Sequence, residues 1–206
     1  MSGVDWRSGA QLLDAAGKRV GERPDVAWWG MVLFLFNEAA LFASLIGTYF
    51  YLSMSSVSWP PPGVERPTLP EPLIMTAALL SSSAVLVYGE RGLERGDRRR
   101  YYVGVVGAVL LGLAFLGLQT KEYIDKLKSI GPTQNSYGSI FYTITGLHGT
   151  HVAFGLLFLL WALARQRKSR STVRTTGVGN ASLYWHFVDG VWLVILTSLY
   201  LSPRWT

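Results

Sequence analysis

Five apolar stretches, at 26–52, 72–88, 101–123, 139–164 and 181–201, constrain this chain more than any other feature. A bilayer-crossing helix needs about 20 mostly apolar residues. In hydrocarbon every backbone N–H and C=O must be satisfied within the segment, which leaves the helix as the form available to such stretches. The expected fold is therefore all-α: a polytopic bundle of five transmembrane helices over 26–206, preceded by a tail over 1–25. Charged residues make up only 16% of the chain, against about 25% in soluble domains. The second stretch is the weakest, because serines interrupt it at 81–83. Serine is tolerated there when its hydroxyl bonds to the backbone or to a neighbouring helix.

The basic residues alternate with the spans. Outside the spans, fourteen Lys and Arg fall in the N-terminal tail and in the loops after the second and fourth spans, including Arg91, Arg95, Arg98, Arg99, Arg100, Arg165, Arg170 and Arg174. Five fall on the other side: Arg66, Lys121, Lys126, Lys128 and Arg204. The positive-inside rule places the N-terminus in the cytoplasm and the C-terminus outside. It also accounts for the net charge of +6 without nucleic acid as a partner. Trp28, Trp29, Trp161 and Trp185 fall near the cytoplasmic ends, and Trp59 and Trp205 near the outer ends, where rings with one wet edge collect. The tail mixes acids and bases without the apolar core of a signal peptide, so insertion is expected to rely on the first span. The proline-rich segment at 58–72 should be extended, stiff and ordered by contacts. There is no cysteine, which excludes disulfides, thiolate metal sites and attached c-type haem.

Six ionisable side chains lie in or at the rims of the spans: Glu38, Glu122, His148, His151, His186 and Asp189. A charge at mid-membrane costs about 2.5–3.5 kcal/mol on the insertion scale, so such groups face the bundle interior and mark a function or a structural pair. At a rise of about 1.5 Å per residue, His186 lies about 8 Å from the cytoplasmic boundary, Asp189 about 12 Å, Glu38 about 15 Å, His151 about 21 Å, His148 about 25 Å and Glu122 about 30 Å. By depth, Glu38 should be protonated or hydrogen-bonded to His151. His148 and His151 are neighbours on one helix face. A metal site there would want more acidic partners, and the favoured reading is that each histidine hydrogen-bonds between helices. Gly146 and Gly149, and the stripe Gly104, Ala108 and Gly112, suit close helix approach. His186 and Asp189 share a face, which Asp189 also shares with Trp185 and Trp192. They are read as a clamp reaching polar groups on the first and fourth spans, sealed from lipid by the tryptophans.

Four stretches then resemble subunit III of the haem–copper terminal oxidases: NEAALFASL at 37–45, LQTKEY at 118–123, YGSIFYTITGLHGTHVAFG at 137–155 and YWHFVDGVW at 184–192. They occupy four of the five spans in the family's order. The resemblance implies a chain with no catalytic residues and no metal of its own, in a complex whose partner subunits carry haem and copper. It implies direct packing against subunit I, with subunits II and IV in the same complex, and phospholipid held in a cleft. It implies support of proton uptake and of turnover stability during aerobic reduction of oxygen to water. Glu38 matches the family's intramembrane acid near the cleft, and Arg165 an arginine that contacts lipid head groups. Glu122, His148, His151, Trp185, His186, Asp189 and Trp192 match positions whose role is structural. The implied location is the bacterial cytoplasmic membrane.

Two departures stand out. The longer family form has seven helices, and this chain resembles the form beginning at the third, so another chain is expected to complete the cleft. Gly190 replaces the usual branched residue of the motif, leaving room for a close helix or lipid. NEAALFASL and the WPPP segment favour cytochrome c oxidase over a quinol oxidase or a nitric oxide reductase accessory subunit. An independent transporter or proton channel would be expected to carry an inverted repeat or a pair of broken spans, and neither is visible. A metalloenzyme would need a denser ligand cluster.

Overall fold

The computed structural model describes residues 26–64, 67–128, 130–168 and 176–204. The tail over 1–25, Arg66, Arg170, Arg174 and Trp205, all used in the topology argument, lie outside the described residues. Five long helices appear: α1 (Val26–Met54), α2 (Pro70–Glu94), α3 (Arg98–Leu127), α4 (Ser136–Lys168) and α5 (Thr176–Ile195). A π-helical turn (Leu196–Leu201) and a 3-10 turn (Ser202–Arg204) continue α5. All five helices are long and apolar enough to cross a membrane. Each predicted span lies within its helix, apart from the end of the fifth, which becomes the π turn. The helices run past the apolar windows because intrahelical bonding continues through the polar margins until a cap ends it. At the α2–α3 junction, Gly96 takes the left-handed region at φ +80°, and the Asp97 carboxylate accepts from the Arg100 N–H at 3.1 Å.

The helices alternate in direction. One end of the bundle, the amino face, gathers the start of α1, the α2–α3 turn, the end of α4 and the start of α5: Asn180 donates to the Ala27 carbonyl at 3.0 Å. The opposite, carboxyl face gathers the end of α1, the start of α2, the α3–α4 turn and the end of α5: Lys121 meets Glu71 at 2.5 Å. Of the described arginines, Arg91, Arg95, Arg98, Arg99, Arg100, Arg165 and Arg167 belong to the amino face, and Arg204 ends the last turn at the carboxyl face.

The helices are buried unequally. In α5, 56% of the apolar window is buried inside the bundle, against 11% in α1, so α5 is the hub and α1 the rim. The buried residues of α1 are Leu35, Phe42 and Tyr49, a seven-residue repeat that seats the helix along one narrow seam. α2 and α3 form the tightest pair. A Cβ added at Gly104 would fall 2.5 Å from the Gly89 Cα and 2.8 Å from the Val85 carbonyl oxygen. The stripe expected on α3 thus serves three neighbours: Gly104 meets α2, while a Cβ at Gly112 would strike Leu156 on α4 and Trp185 on α5, both at 2.7 Å.

Trp185 corrects one expectation. It is not an interfacial ring with a wet edge but is 0% exposed. Its indole N–H is satisfied by protein rather than water, donating to Ser82 Oγ at 2.9 Å.

Candidate functional site

The polar side chains fall into three groups. The first is the joint between α2 and α5. Thr76 Oγ1 donates to its own helix at the Pro72 carbonyl, 2.7 Å away, and Ser82 Oγ to the Leu79 carbonyl at 2.6 Å. Each hydroxyl keeps lone pairs facing α5. An indole N–H can only donate, so it suits such an acceptor. Trp192 donates to Thr76 Oγ1 at 2.9 Å, as Trp185 does to Ser82. Between these rungs Ser83 Oγ lies 2.7 Å from His186 Nδ1 and donates to Asp189 Oδ2. With the hydroxyl proton directed at Asp189, His186 Nδ1–H is the donor to Ser83.

His186 and Asp189 therefore do clamp two helices, but the partner is α2, not α1 or α4. The serine run that weakens the second span supplies the receiving groups. Thr76 and Ser83 are seven residues apart, a spacing that puts both on one face. That spacing was the available signal, and hydropathy alone hides it.

Asp189 gives the joint a direct test. Asn keeps an acceptor oxygen for Ser83, whereas Leu removes the acceptor of the Ser83 hydroxyl proton in a part-buried joint, at about 1–3 kcal/mol. Asp189→Asn should leave the subunit in its complex, and Asp189→Leu should reduce its retention during purification. Equal loss of turnover in both variants, with retention intact, would assign Asp189 to proton transfer instead.

The second group lies between α1 and α4. His151 Nε2 stands 2.9 Å from Glu38 Oε2, and its Nδ1 stands 2.8 Å from the Leu147 carbonyl. The Tyr184 hydroxyl donates to the His151 carbonyl at 3.2 Å. The pairing expected from depth is thus present in the structure; two side chains span the about 6 Å offset in estimated height. Glu38 and His151 line a groove of about 520 Å³ with Met31, Phe34, Phe154 and Phe158. Its walls are apolar, and the pair is its main polar feature.

His148, three residues before His151, behaves differently. It is 0% exposed, and neither ring nitrogen has a protein hydrogen-bond partner. This corrects the expectation that each histidine of the pair bonds between helices. Its ring stacks on Trp192, with centroids 5.3 Å apart, and meets Phe115 edge-on at 5.7 Å and Phe42 at 6.3 Å. Gly149, beside it, is small because the Gln119 amide lies there: a Cβ would fall 2.8 Å from Oε1. Gln119 Nε2 donates to the Thr145 carbonyl at 2.6 Å.

The third group is at the carboxyl face. Glu122 is 2% exposed, deeper than a rim position suggests. It accepts from the Tyr200 hydroxyl at 3.0 Å and pairs with Lys126 at 2.7 Å. The sequence reading missed both partners. Lys126 sits at i+4 on the same helix and could have been found by spacing. Tyr200 could not, since it comes from the π turn after α5. At the amino face, Arg165 is exposed and lies over the Trp161 ring, 5.4 Å from its centroid. Gly190 faces open space, with nothing within 4 Å of an added Cβ.

Among the described residues no three His, Cys, Asp or Glu side chains stand close enough to share a metal ion. His151 is engaged with Glu38, His186 with Ser83, and His148 is enclosed by rings. These residues do not fit a haem or copper ligand set.

The family model described as "Cytochrome c oxidase subunit III" matches residues 19–205. A cytochrome c oxidase subunit 3 of Thermostichus vulcanus is 36% identical over 189 residues, covering 89% of this chain and 90% of the relative. One from Synechocystis is 38% identical over 182 residues, covering 86% and 76%. The rat protein of the same name is 36% identical over 179 residues, covering 84% and 68%.

Proposed function

The chain belongs to the cytochrome c oxidase subunit III family, and from that premise we propose that it is the membrane subunit that sustains the catalytic subunit during reduction of oxygen, without redox chemistry of its own. Haem and copper are assigned to partner subunits. His151 and His186 support that assignment, because binding a metal there would break the Glu38 or Ser83 networks. Subunit I is the proposed direct neighbour, with subunits II and IV in the same complex. The arginine-rich amino face is assigned to the cytoplasm, by the positive-inside rule, in a bacterial cytoplasmic membrane.

The observation that carries the reading is the groove between α1 and α4. Its aromatic and aliphatic walls suit an acyl chain, and Glu38 presents its carboxyl to His151 at the groove wall rather than to open hydrocarbon. A lipid there would fill the gap beside the thinly seated α1 and keep its packing intact through turnover. Arg165, exposed at the amino-face end of α4, is assigned the phosphate head group, and its exposure there supports that reading.

The test is oxygen consumption by the purified oxidase over many turnovers. Removing this chain should leave the initial rate nearly unchanged and shorten the active lifetime. Phe154→Trp, which fills the groove from its exposed side, should lower the lipid content seen by native mass spectrometry and shorten the lifetime with the subunit retained. Full lipid content together with a normal lifetime in this variant would remove the groove from the mechanism.

A further inference from the structure

α1 is fastened differently along its length. At the amino face Asn180 of α5 donates to the Ala27 carbonyl. At mid-span Glu38 meets His151 of α4, where the Phe42 ring also stands edge-on to His151, centroids 5.1 Å apart. At the carboxyl face α4 gives little support, because a cleft of about 520 Å³ opens there between Leu52 of α1 and Ser136, Ser139 and Thr143 of α4. What holds α1 at that end is the turn that continues α5. The Tyr49 hydroxyl makes side-chain hydrogen bonds with Ser202 and with Trp59 of the α1–α2 connection. Ser202 Oγ already donates to the Ser198 carbonyl at 2.6 Å, so Tyr49 donates to Ser202. An indole N–H can only donate, so the Tyr49 oxygen accepts from Trp59. The bonds run in one direction, from Trp59 through Tyr49 and Ser202 to Ser198, and each polarises the next.

The turn is itself anchored. Tyr200, two residues before Ser202 and 1% exposed, donates to Glu122 of α3 at 3.0 Å, and Lys126 holds that carboxylate at 2.7 Å. The Tyr200 ring also meets Phe141 of α4, centroids 5.9 Å apart. The π winding over Leu196–Leu201 turns the chain less per residue than α winding does. It therefore directs Tyr200 to α3 and Ser202 to α1 at once. We propose that the turn over 196–204 is a clasp on the carboxyl-face end of α1, with Tyr200 as its anchor and Ser202 as its hook, and that its grip sets how fast lipid exchanges in the α1–α4 groove. The second half rests on the reading of that groove as a lipid site. Intrahelical bonds make α1 stiff, so it moves as a lever about the Glu38–His151 contact. Loosening the end at Tyr49 then shifts the groove wall that Met31 and Phe34 supply on the other side of that contact.

Two measurements on the intact oxidase decide this. The first is amide hydrogen exchange along α1. Ser202→Ala removes the hook, and losing one buried hydrogen bond should speed exchange over 46–54 about fivefold, with 26–38 unchanged. Tyr200→Phe should give the same rise, although the bond it removes goes to α3. No rise in either variant, a rise confined to Ser202→Ala, or a uniform rise along α1 would overturn the clasp. The second is replacement of bound phospholipid by added deuterated phospholipid, followed by native mass spectrometry. Both variants should speed it by a similar factor. Unchanged replacement beside faster amide exchange would overturn the grip on lipid. A wild-type complex that carries no phospholipid would count against the reading of the groove and not against the clasp, which amide exchange decides on its own.

Discussion

Gly104→Leu is expected to deplete the subunit from the purified oxidase. The α2–α3 hairpin closes on a glycine pair, and atoms beyond Cα at position 104 meet backbone: the Gly89 Cα, the Gly89 nitrogen at 2.9 Å and the Val85 carbonyl. Overpacking costs about 1–3 kcal/mol, and sometimes more, when side chains can yield. Backbone cannot yield without separating the helices. Separation would also shift Thr76, Ser82 and Ser83 away from α5, so the damage reaches the polar joint. Immunoblotting of the membranes and of the purified complex measures this directly, with Gly190→Ala as the control, since no neighbour lies within 4 Å of that Cβ. Normal retention of Gly104→Leu would mean that the close approach does not hold the hairpin.

Trp185→Ala should have an effect of similar size for the opposite reason. The ring lies against Gly112 on α3 and against Gly155 on α4, where a Cβ would fall 2.9 Å from it, and its N–H reaches α2. One side chain on α5 thus touches three other helices. Truncating Trp to Ala in a soluble core costs about 3–5 kcal/mol. Between lipid-solvated helices the transfer contribution is weak and packing dominates, so the lower end of that range applies. The expected result is a complex that releases the subunit in mild detergent. Trp185→Phe should recover part of the retention by filling the space, though without the bond to Ser82. If the alanine variant keeps the wild-type detergent profile, α5 is not the hub that its burial indicates.

The spans were legible because hydrocarbon imposes a length and a composition that few other contexts require. The Glu38–His151 pair was legible because it needed only helix rise and alternating direction. The partner of Asp189 was not. Depth places it level with groups on several helices, and choosing among them requires knowing which helix lies across from α5. That choice is made by Gly89, Gly104 and Gly112, which set how closely α2, α3 and α5 approach, and glycine spacing does not name its partner. His148 was misread for a related reason. A histidine in lipid suggests a hydrogen bond, yet here flat aromatic neighbours surround the ring. Tyr200 was hidden by the change from α to π winding, which no residue pattern in LTSLYL announces.

The back-bonded hydroxyls of α2 also bear on biogenesis. Thr76 and Ser82 each donate to a carbonyl of their own helix, whether or not α5 is present. A nascent α2–α3 hairpin can therefore rest in the bilayer with those two donors already satisfied while the remainder of the chain is being synthesised. The indoles of Trp185 and Trp192 have no such local partner, and they arrive on a helix synthesised after α2 and α3. The polarity of the rungs thus matches the order of translation: the waiting surface is chemically quiet, and the arriving helix brings the donors that need it.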